Sequence, residues 1–301
     1  MARTGTLDPE GIAARVEALD VGLFKTINSQ TKKGDRASLL ALHGACAERF
    51  GTFGYLEIGS HLGGSLQAVI RDPRVTKIVS IDLRPEATPD ERGKAIPYVG
   101  NSTQRMLDNL VALPGADVEK LHAIDADTRS LKANDSPIRP ELCFIDGEHT
   151  VESCLADARF CRSVLADRGA IAFHDTGLIH PAIATFLAEL RRDGLKPVAY
   201  PLPDVVFVIE LGGCDLHKTT AIRRLLKDPC NTLPKPATLL ASRPAATASR
   251  GLERWWLSGL GSGRRLFRRR MRKLLKQRRR RLVKSGRKRA RRTLKRLRHP
   301  K

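Results

Sequence analysis

Two acidic residues each follow an apolar run that is typical of a buried strand. Asp146 comes directly after the run at 141–145, and Asp175 comes directly after the run at 170–174. In an open parallel α/β sheet, ligands bind beyond the carboxyl ends of the strands, so acids at these positions face a site and not the core. Asp146 and Asp175 therefore predict a chemical centre at that edge of a sheet.

Upstream, a strand-like segment breaks into a glycine-containing turn with the sequence YLEIGSHLGGS over 55–65. Glycines there let the backbone approach a ligand, and the start of a following helix offers N–H groups to it. The spacing E-x-G-x-x-x-G begins with an acid, which suits a positively charged cofactor better than a pyrophosphate. We predict cofactor contacts from Glu57, Gly59, Ser60 and Gly63, although the glycines alone also fit an ordinary tight turn.

Two further acids are positioned to bind a nucleoside. Asp82 ends the next strand-like run, roughly 20 residues after Gly59, where an acid takes both ribose hydroxyls in charge-assisted hydrogen bonds. Asp127 follows the third strand-like run and is predicted to reach the adenine amine. Asp125 competes for that role, and a turn cap is an equal alternative for either residue.

The residues around the two strand-end acids predict acid–base chemistry. The oxygen donors of Asp146 and Asp175 favour Mg²⁺ or Ca²⁺ over Zn²⁺, since the thiols lie elsewhere. His149 is the predicted general base because an imidazole titrates near neutral pH, and a helix-capping histidine is the alternative. Alternation along the strand leaves open which face His174 takes. His61 is expected to shape the cofactor pocket.

From about Phe53 to Leu211 the sequence resembles the class I S-adenosylmethionine-dependent methyltransferases that act on small-molecule hydroxyls. The resemblance is carried by residues 144–176, with Ile-Asp-Gly-Glu-His, the helical Leu-Ala-Asp-Ala-Arg-Phe-Cys, and Asp-Arg-Gly-Ala-Ile-Ala-Phe-His-Asp-Thr. This stretch is similar to the metal-dependent methyltransferases of macrolide sugars and, more distantly, to catechol O-methyltransferases.

The resemblance implies a cofactor and a metal. Glu57 and Gly59 would line the methionine end of S-adenosylmethionine, and Asp82 would bind its ribose. Asp146 and Asp175 would hold Mg²⁺. The implied activity is methyl transfer to a hydroxyl of a small-molecule or glycan acceptor.

His149 matches the proposed base of the sugar methyltransferases. The chain departs from its relatives at two positions. It has His174 where they often place a second acid, and Thr176 where the catechol enzymes carry Asn. Two other functions are weighed against methyl transfer: a nucleic-acid-associated protein that binds through its basic tail, and a catalytically inactive cofactor-binding protein.

Strand and helix patterns alternate along the chain, which indicates an α/β fold with a doubly wound, mainly parallel Rossmann-like sheet. We predict strands at 53–58, 77–82, 119–124, 141–146, 170–174, 197–200 and 204–210. Helices are predicted at 36–50, 64–71, 103–112, 151–166 and 181–193, with a short helix near 219–226. In the helix after His149, apolar residues recur at three- and four-residue steps, and Thr150 is its predicted N-cap.

The charge is distributed unevenly along the 301 residues, whose net charge is +22 and whose hydrophobic content is 41%. Residues 250–301 hold 24 of the 54 Lys and Arg residues and a single acid, Glu253, so the rest of the chain is nearly neutral. We predict an N-terminal extension at 1–35, a methyltransferase domain at 36–213, a linker at 214–250 and a polybasic tail at 251–301.

The six cysteines are dispersed and form no CxxC pair. This pattern favours buried thiols of a reducing compartment over a disulfide framework. The N-terminus lacks an apolar signal core, and no window approaches the ~18 apolar residues of a spanning helix. The expected location is the cytoplasm, with peripheral attachment at the inner face of the membrane through the tail.

The tail has no acid over 264–301, and apolar residues interrupt its charges at roughly helical intervals. Trp255 and Trp256 stand just before it. A basic amphipathic helix with flanking tryptophans is typical of elements that bind an anionic membrane surface. Nucleic-acid binding is the rival interpretation, since many Lys and Arg neutralise phosphates without sequence preference, and a disordered solvated polycation is the third.

Deletion of 250–301 should abolish sedimentation with anionic liposomes, because each Lys or Arg at such a surface contributes on the order of 1 kcal/mol. High salt should weaken lipid binding by the intact protein without eliminating it, since apolar insertion is not screened. If the intact protein does not bind liposomes but binds nucleic acid with a steep dependence on salt, the nucleic-acid interpretation of the tail replaces the membrane interpretation.

Overall fold

A computed structural model of the chain describes residues 9–228 and 230–233. The predictions for the tail, for linker residues 234–250 and for the first eight residues lie outside the described residues. Among those described, no helix is both long enough and apolar enough to cross a bilayer.

A seven-stranded sheet organises the described chain. Its strands are β1 (Phe53–Ile58), β2 (Val75–Ile81), β5 (Leu121–Ile124), β6 (Leu142–Ile145), β7 (Gly169–Phe173), β8 (Val198–Pro201) and β9 (Phe207–Leu211), in the order β5-β2-β1-β6-β7-β9-β8. The first five strands in this order, from β5 to β7, pair in parallel, and β9 runs antiparallel to both β7 and β8. The predicted mainly parallel, doubly wound α/β class is confirmed.

The strand order reverses between β1 and β6. The chain runs outward from β1 to β2 and β5, then returns to place β6 on the other side of β1. At such a switch point the loops after neighbouring strands diverge to opposite faces and open a crevice for ligands. All six residues of β1 are buried, as expected for a strand with both faces covered.

Helices cover both faces of the sheet. They are α1 (Pro9–Glu17), α2 (Lys33–Phe50), α3 (Thr103–Val111), α4 (Val151–Val164), α5 (Thr176–Arg192) and α6 (Thr220–Leu225). One apolar cluster joins α1, α2 and α3 to the sheet, and a second joins α4 and α5 to its other face. Thr150 caps α4 as predicted, accepting a hydrogen bond from the Ser153 N–H.

The predicted helix at 64–71 is wrong. Only a single 3₁₀ turn, Ser65–Gln67, forms there. The buried Gln67 amide accepts from the N–H groups of Thr26 and Ile27 and donates to the Ile27 carbonyl, so it anchors the N-terminal loop. A Cβ at Gly64 would lie 2.5 Å from the Asn28 oxygen, so this loop passes too closely for a regular helix with side chains.

The helix predicted at 181–193 begins five residues earlier, at Thr176, so Pro181 lies inside it and not in its first turn. Proline lacks the N–H that would bond the carbonyl four residues before it. Here that carbonyl belongs to Gly177, and Nδ1 of His180 lies 3.4 Å from it. The imidazole takes the place of the missing donor.

Sequence reasoning missed a small antiparallel hairpin between β2 and α3. It consists of β3 (Ala87–Pro89) and β4 (Ala95–Pro97). Asp90 forms a bridge with His149, and the Glu91 N–H donates to the His149 carbonyl at 3.1 Å. The hairpin is therefore tied to the loop after β6, although its three-residue strands are too short to produce a periodic pattern.

The N-terminal region and the first residues past 213 both pack on the body. Ile12, Val16, Leu23 and Phe24 are buried, as are Cys214, Leu216 and Ile222. None of the six cysteines forms a disulfide, and five are buried while Cys230 is half-buried.

Candidate functional site

A cavity of about 980 Å³, counting the open space at its mouth, lies beyond the carboxyl ends of β1, β2, β5 and β6. Its walls come from the turn after β1, from Asp82, from residues 126–129 and from residues 146–149. The N-terminal loop at 28–30 and the β3–β4 hairpin add the remaining wall. The cavity therefore occupies the crevice at the switch point of the sheet.

The turn after β1 depends on Gly59. Its φ is +90°, and a Cβ would lie 2.2 Å from the Asp146 carbonyl oxygen. Of the glycine-turn residues predicted to contact a cofactor, Gly59 and Ser60 line the cavity and Gly63 does not. A Cβ at Gly63 would instead meet Leu110 of α3 at 3.1 Å, so this glycine permits close packing behind the site.

Glu57 lies behind the cavity wall and does not line it. Its carboxyl group is fully buried and accepts hydrogen bonds from the Tyr55 hydroxyl at 2.7 Å and the Ser65 hydroxyl at 2.6 Å. Burial raises the pKa of Glu57 to about 8, although both hydroxyls favour the ionised form. Ser65 lines the cavity, so contact between Glu57 and a ligand would pass through that hydroxyl.

Asp82 borders the cavity with its carboxylate already largely engaged. Its oxygens accept from the His61 N–H at 2.9 Å, from the Arg84 N–H at 2.8 Å and from Arg84 Nη1 at 3.1 Å. A carboxylate offers about four acceptor positions, so roughly one is left for a ligand hydroxyl. The same guanidinium also donates to the His61 carbonyl at 2.7 Å. Arg84 is a functional neighbour that sequence reasoning missed.

Of the two competing acids after β5, Asp127 lines the cavity and Asp125 does not. Arg129 pairs with Asp127 at 2.6 Å and lowers the pKa of that carboxyl. Asp125 instead accepts a hydrogen bond from Thr103. Both predicted cofactor acids, Asp82 and Asp127, therefore reach the cavity already paired with an arginine.

Asp157, on α4, is a buried acid that sequence reasoning missed. It lines the cavity and accepts a hydrogen bond from the Thr128 hydroxyl at 2.5 Å. Burial raises the pKa of Asp157 to about 7. The sequence feature that could have identified Asp157 is its position directly beside the apolar stripe of α4.

Past β6 and β7, four residues form a compact acid–histidine cluster. One donor atom from each of Asp146, His149, His174 and Asp175 lies within 4.8 Å of the other three. His149 Nε2 is 3.5 Å from Asp146 Oδ1 and 3.3 Å from Asp175 Oδ2. The structure thus brings together both predicted metal ligands and the predicted base. Asp175 adopts a left-handed backbone conformation (φ +49°) at the start of α5, which directs its carboxylate to this point.

His174 also faces this cluster, which answers the question that strand alternation left open. Its side chain is 6% exposed, with Nδ1 2.8 Å from Asp146 Oδ1 and Nε2 3.2 Å from Asp35 Oδ2. Asp35 comes from the first turn of α2 and also accepts from the N–H groups of Lys32 and Val205. No local signal marks the approach of Asp35 to His174, because the two residues are distant in the sequence.

Charge sets the protonation of the cluster. Burial alone would raise the pKa of Asp146, but the neighbouring His174 and His149 hold it well below its usual range. Burial alone would lower the pKa of His149, yet Asp146 and Asp175 raise it. Without a metal ion, the cluster favours carboxylates paired with imidazolium groups.

Residues 56–176 match the family model described as a methyltransferase domain. This confirms the resemblance to class I methyltransferases, whose methyl donor is S-adenosylmethionine. No curated protein matches the chain by sequence.

Several solved structures are similar in fold. Calicheamicin methyltransferase is 16% identical with a TM-score of 0.43, over 68% of this chain and 94% of that one. The N-methyltransferase NodS from Bradyrhizobium japonicum WM9 is 14% identical with a TM-score of 0.39, over 61% and 98%. Spermidine synthase from Thermotoga maritima is 15% identical with a TM-score of 0.42, over 70% of each chain. Likenesses this weak indicate no acceptor for this chain.

Because the pKa of Glu57 is raised in the folded protein, we expect the free energy of unfolding to depend on pH. An unfolded glutamate loses its proton near 4.5, whereas the folded one keeps it to about 8, so its contribution to stability falls as pH rises between these values. Glu57→Gln removes this titration and should unfold with a free energy roughly 1–3 kcal/mol above wild type at pH 8, but not at pH 4. Urea unfolding at both pH values tests this, with the exposed Asp108→Asn as control. Parallel pH profiles for Glu57→Gln and wild type would contradict it.

Proposed function

We propose that this class I methyltransferase domain transfers a methyl group from S-adenosylmethionine to a hydroxyl of a small molecule or glycan, with His149 as the base. The observation that carries the proposal is the position of His149. It lines the cavity beside Asp146 and Asp175, while the acids suited to a nucleoside lie on the far side of β1.

The order of the strands supports an extended pose for the cofactor. Asp127 and Asp82 follow β5 and β2, the glycine turn follows β1, and the acid–histidine cluster follows β6 and β7. An adenosine bound near Asp82 and Asp127 would direct its methionine past Gly59 and Ser60. The sulfonium methyl would then point toward His149. Holding the donor and acceptor in line supplies much of the rate enhancement in such reactions.

The cavity wall supports a polar acceptor. It presents amide and hydroxyl groups from two segments, the N-terminal loop and the hairpin with its following residues: Asn28, Ser29, Gln30, Thr88 and Tyr98. Such groups both donate and accept hydrogen bonds, which matches an acceptor that carries several hydroxyls.

The acid–base pairing favours oxygen over nitrogen as the attacking atom. A neutral amine attacks a sulfonium methyl without first losing a proton, whereas a hydroxyl is a weak nucleophile until a base takes its proton. His149 would accept that proton on its cavity side. Asp146 and Asp175 would stabilise the imidazolium that forms, since both lie within 3.5 Å of its Nε2.

A divalent cation fits the same residues. The oxygens of Asp146 and Asp175 are hard donors of the kind that bind Mg²⁺, and a cation offsets the repulsion between them. Bound there, the ion would lower the pKa of an acceptor hydroxyl.

For the tail we propose attachment to an anionic membrane surface in the cytoplasm, where a lipid-linked acceptor would lie close to the enzyme. Its support is the basic and apolar pattern of 264–301. Nucleic acid is the alternative partner for the same charges.

The cofactor assignment predicts that Asp82→Ala weakens S-adenosylmethionine binding by ~1.5–3 kcal/mol, the scale of a hydrogen bond to a charged group. S-adenosylhomocysteine carries the same ribose, so its binding should weaken by the same free energy. Calorimetry with both ligands measures this, and Asp82→Asn keeps the shape of the side chain beside Arg84. Asp108→Ala is the exposed control. Unchanged affinities in folded Asp82 variants would remove the assignment.

If His149 is the base, His149→Gln should lower kcat by roughly 10²- to 10⁴-fold, which is the usual contribution of a general base to the rate. Its affinity for S-adenosylmethionine should stay within about twofold of wild type, because the imidazole acts on the acceptor. Formation of S-adenosylhomocysteine with a panel of hydroxylated acceptors, sugars included, measures the rate. His122→Gln, on exposed β5, is the matched control. Transfer at the wild-type rate in His149→Gln would refute the assignment, and transfer to amines alone would refute the hydroxyl acceptor.

A further inference from the structure

His174 is a buried imidazole whose polar atoms are unsatisfied. Its side chain is more than nine-tenths buried, and neither ring nitrogen makes a hydrogen bond of acceptable geometry. This is so although carboxylate oxygens lie 2.8 Å from Nδ1 and 3.2 Å from Nε2. Buried polar atoms without partners are rare in folded proteins, because each costs about 1–3 kcal/mol of stability.

The direction of the ring suggests what satisfies Nδ1. A proton shared with Asp146 would require the nitrogen to point at the carboxylate oxygen. The two atoms are 2.8 Å apart, yet they do not meet the geometry of a hydrogen bond. Two ligands of one metal ion are arranged in this way, since their lone pairs converge on a third point. The Asp175 oxygen lies 3.6 Å from the same nitrogen, on the same cluster.

The spacing of the donor atoms agrees with a common ion. Ligands ~2.1 Å from one metal stand about 3.0–3.4 Å apart in octahedral or tetrahedral sites. In the cluster, the separations of His174 Nδ1 from Asp146 and Asp175 bracket this range. All these atoms lie within 4.8 Å of one another, so one ion could contact them after small side-chain rotations.

The two histidines of the cluster occupy different sides of it. His149 lines the cavity, whereas His174 does not and instead faces Asp35 of α2. Asp35 Oδ2 lies 3.2 Å from Nε2, so a small rotation of the ring would complete a hydrogen bond between them. A carboxylate bonded in this way to the far nitrogen of a metal-bound imidazole fixes the orientation of the ring and increases its basicity. Asp35 is 1% exposed and is itself held by the N–H groups of Lys32 and Val205. His174 is therefore placed as a ligand supported by Asp35, whereas His149 borders the cavity with its Nε2 3.5 Å from Asp146 and 3.3 Å from Asp175.

We propose that Asp146, His174 and Asp175 bind a divalent first-row transition ion, such as Co²⁺, Mn²⁺, Fe²⁺ or Zn²⁺, in preference to Mg²⁺, and that Asp35 is the positioning residue for His174. Imidazole suits transition ions, whereas Mg²⁺ selects oxygen ligands. The inference deepens the proposed function and rests on it for the use of the ion, but not for its binding.

Titration of the chelator-treated full chain with Co²⁺ and with Mg²⁺, without cofactor or acceptor, tests the preference. We expect Co²⁺ to bind on the order of 100-fold more tightly than Mg²⁺ and to show a visible absorption band that reports a nitrogen ligand. His174→Asp makes the donor set all oxygen, so the affinity ratio should fall by ~10-fold or more and the band should shift. Asp35→Asn should weaken Co²⁺ binding by ~10- to 100-fold.

Control variants separate the ligand from its neighbours. His149→Gln and the exposed His122→Gln should leave the Co²⁺ affinity and band unchanged. His174→Asn, neutral and of similar reach, covers the case in which the added carboxylate of His174→Asp prevents folding. Both His174 variants are checked by circular dichroism.

Three results would overturn the inference: equal or tighter binding of Mg²⁺ by wild type, an unchanged band in the His174 variants, or loss of Co²⁺ binding in His149→Gln alone. Any of them would leave a protonated His174 as an ion-pair partner of Asp35 and Asp146. Co²⁺ binding as expected in a protein that transfers no methyl group would contradict the proposed function alone. Methyl transfer without a Co²⁺ preference would contradict this inference alone.

Discussion

The site depends on one backbone contact between two halves of the chain, the closure of β6 against β1 at the turn of Gly59. The Asp146 N–H donates to the Ile58 carbonyl at 2.8 Å, and the Asp146 carbonyl occupies the space that a Cβ on Gly59 would fill. Any side chain at Gly59 would force these loops apart. The contact therefore sets the distance between the cavity wall suited to a cofactor and the acids that follow β6.

The buried acids around this contact are stabilised in three different ways. Neutral hydroxyls satisfy Glu57, an arginine and backbone N–H groups satisfy Asp82, and imidazoles surround Asp146. The partners decide the charge, because burial disfavours every carboxylate and only cations or strong donors offset it. Glu57 accordingly keeps its proton to high pH while the pKa of Asp146 is held low. The carboxylate of Asp146 therefore stays ionised beside the two histidines, while that of Glu57 keeps its proton to about pH 8.

The N-terminal region contributes more to the site than its weak sequence pattern indicates. Gln67 anchors the loop that carries residues 28–30 into the cavity wall, and the first turn of α2 carries Asp35 to His174. Both contacts join this region to the edge of the sheet that borders the cavity rather than to its face. Removal of residues 9–35 would therefore be expected to disturb the cluster as well as the core that Val16 and Phe24 help to fill.

The sequence by itself determined the sheet and the positions of its strand-end acids. Period-two and continuous apolar runs are local signals, and so are the glycine turn before Ser60 and the helical stripe that starts after Thr150. Chain topology then brings Asp82, Asp146 and Asp175 to one edge, because all parallel strands end there. Only the tertiary structure decided which of these groups meet. The Asp35–His174 pair depends on a contact between distant segments, and the short hairpin on the loop after β6 has strands too short to show a period. The tertiary structure also decided that the predicted helix at 64–71 does not form, because the N-terminal loop packs closely against Gly64.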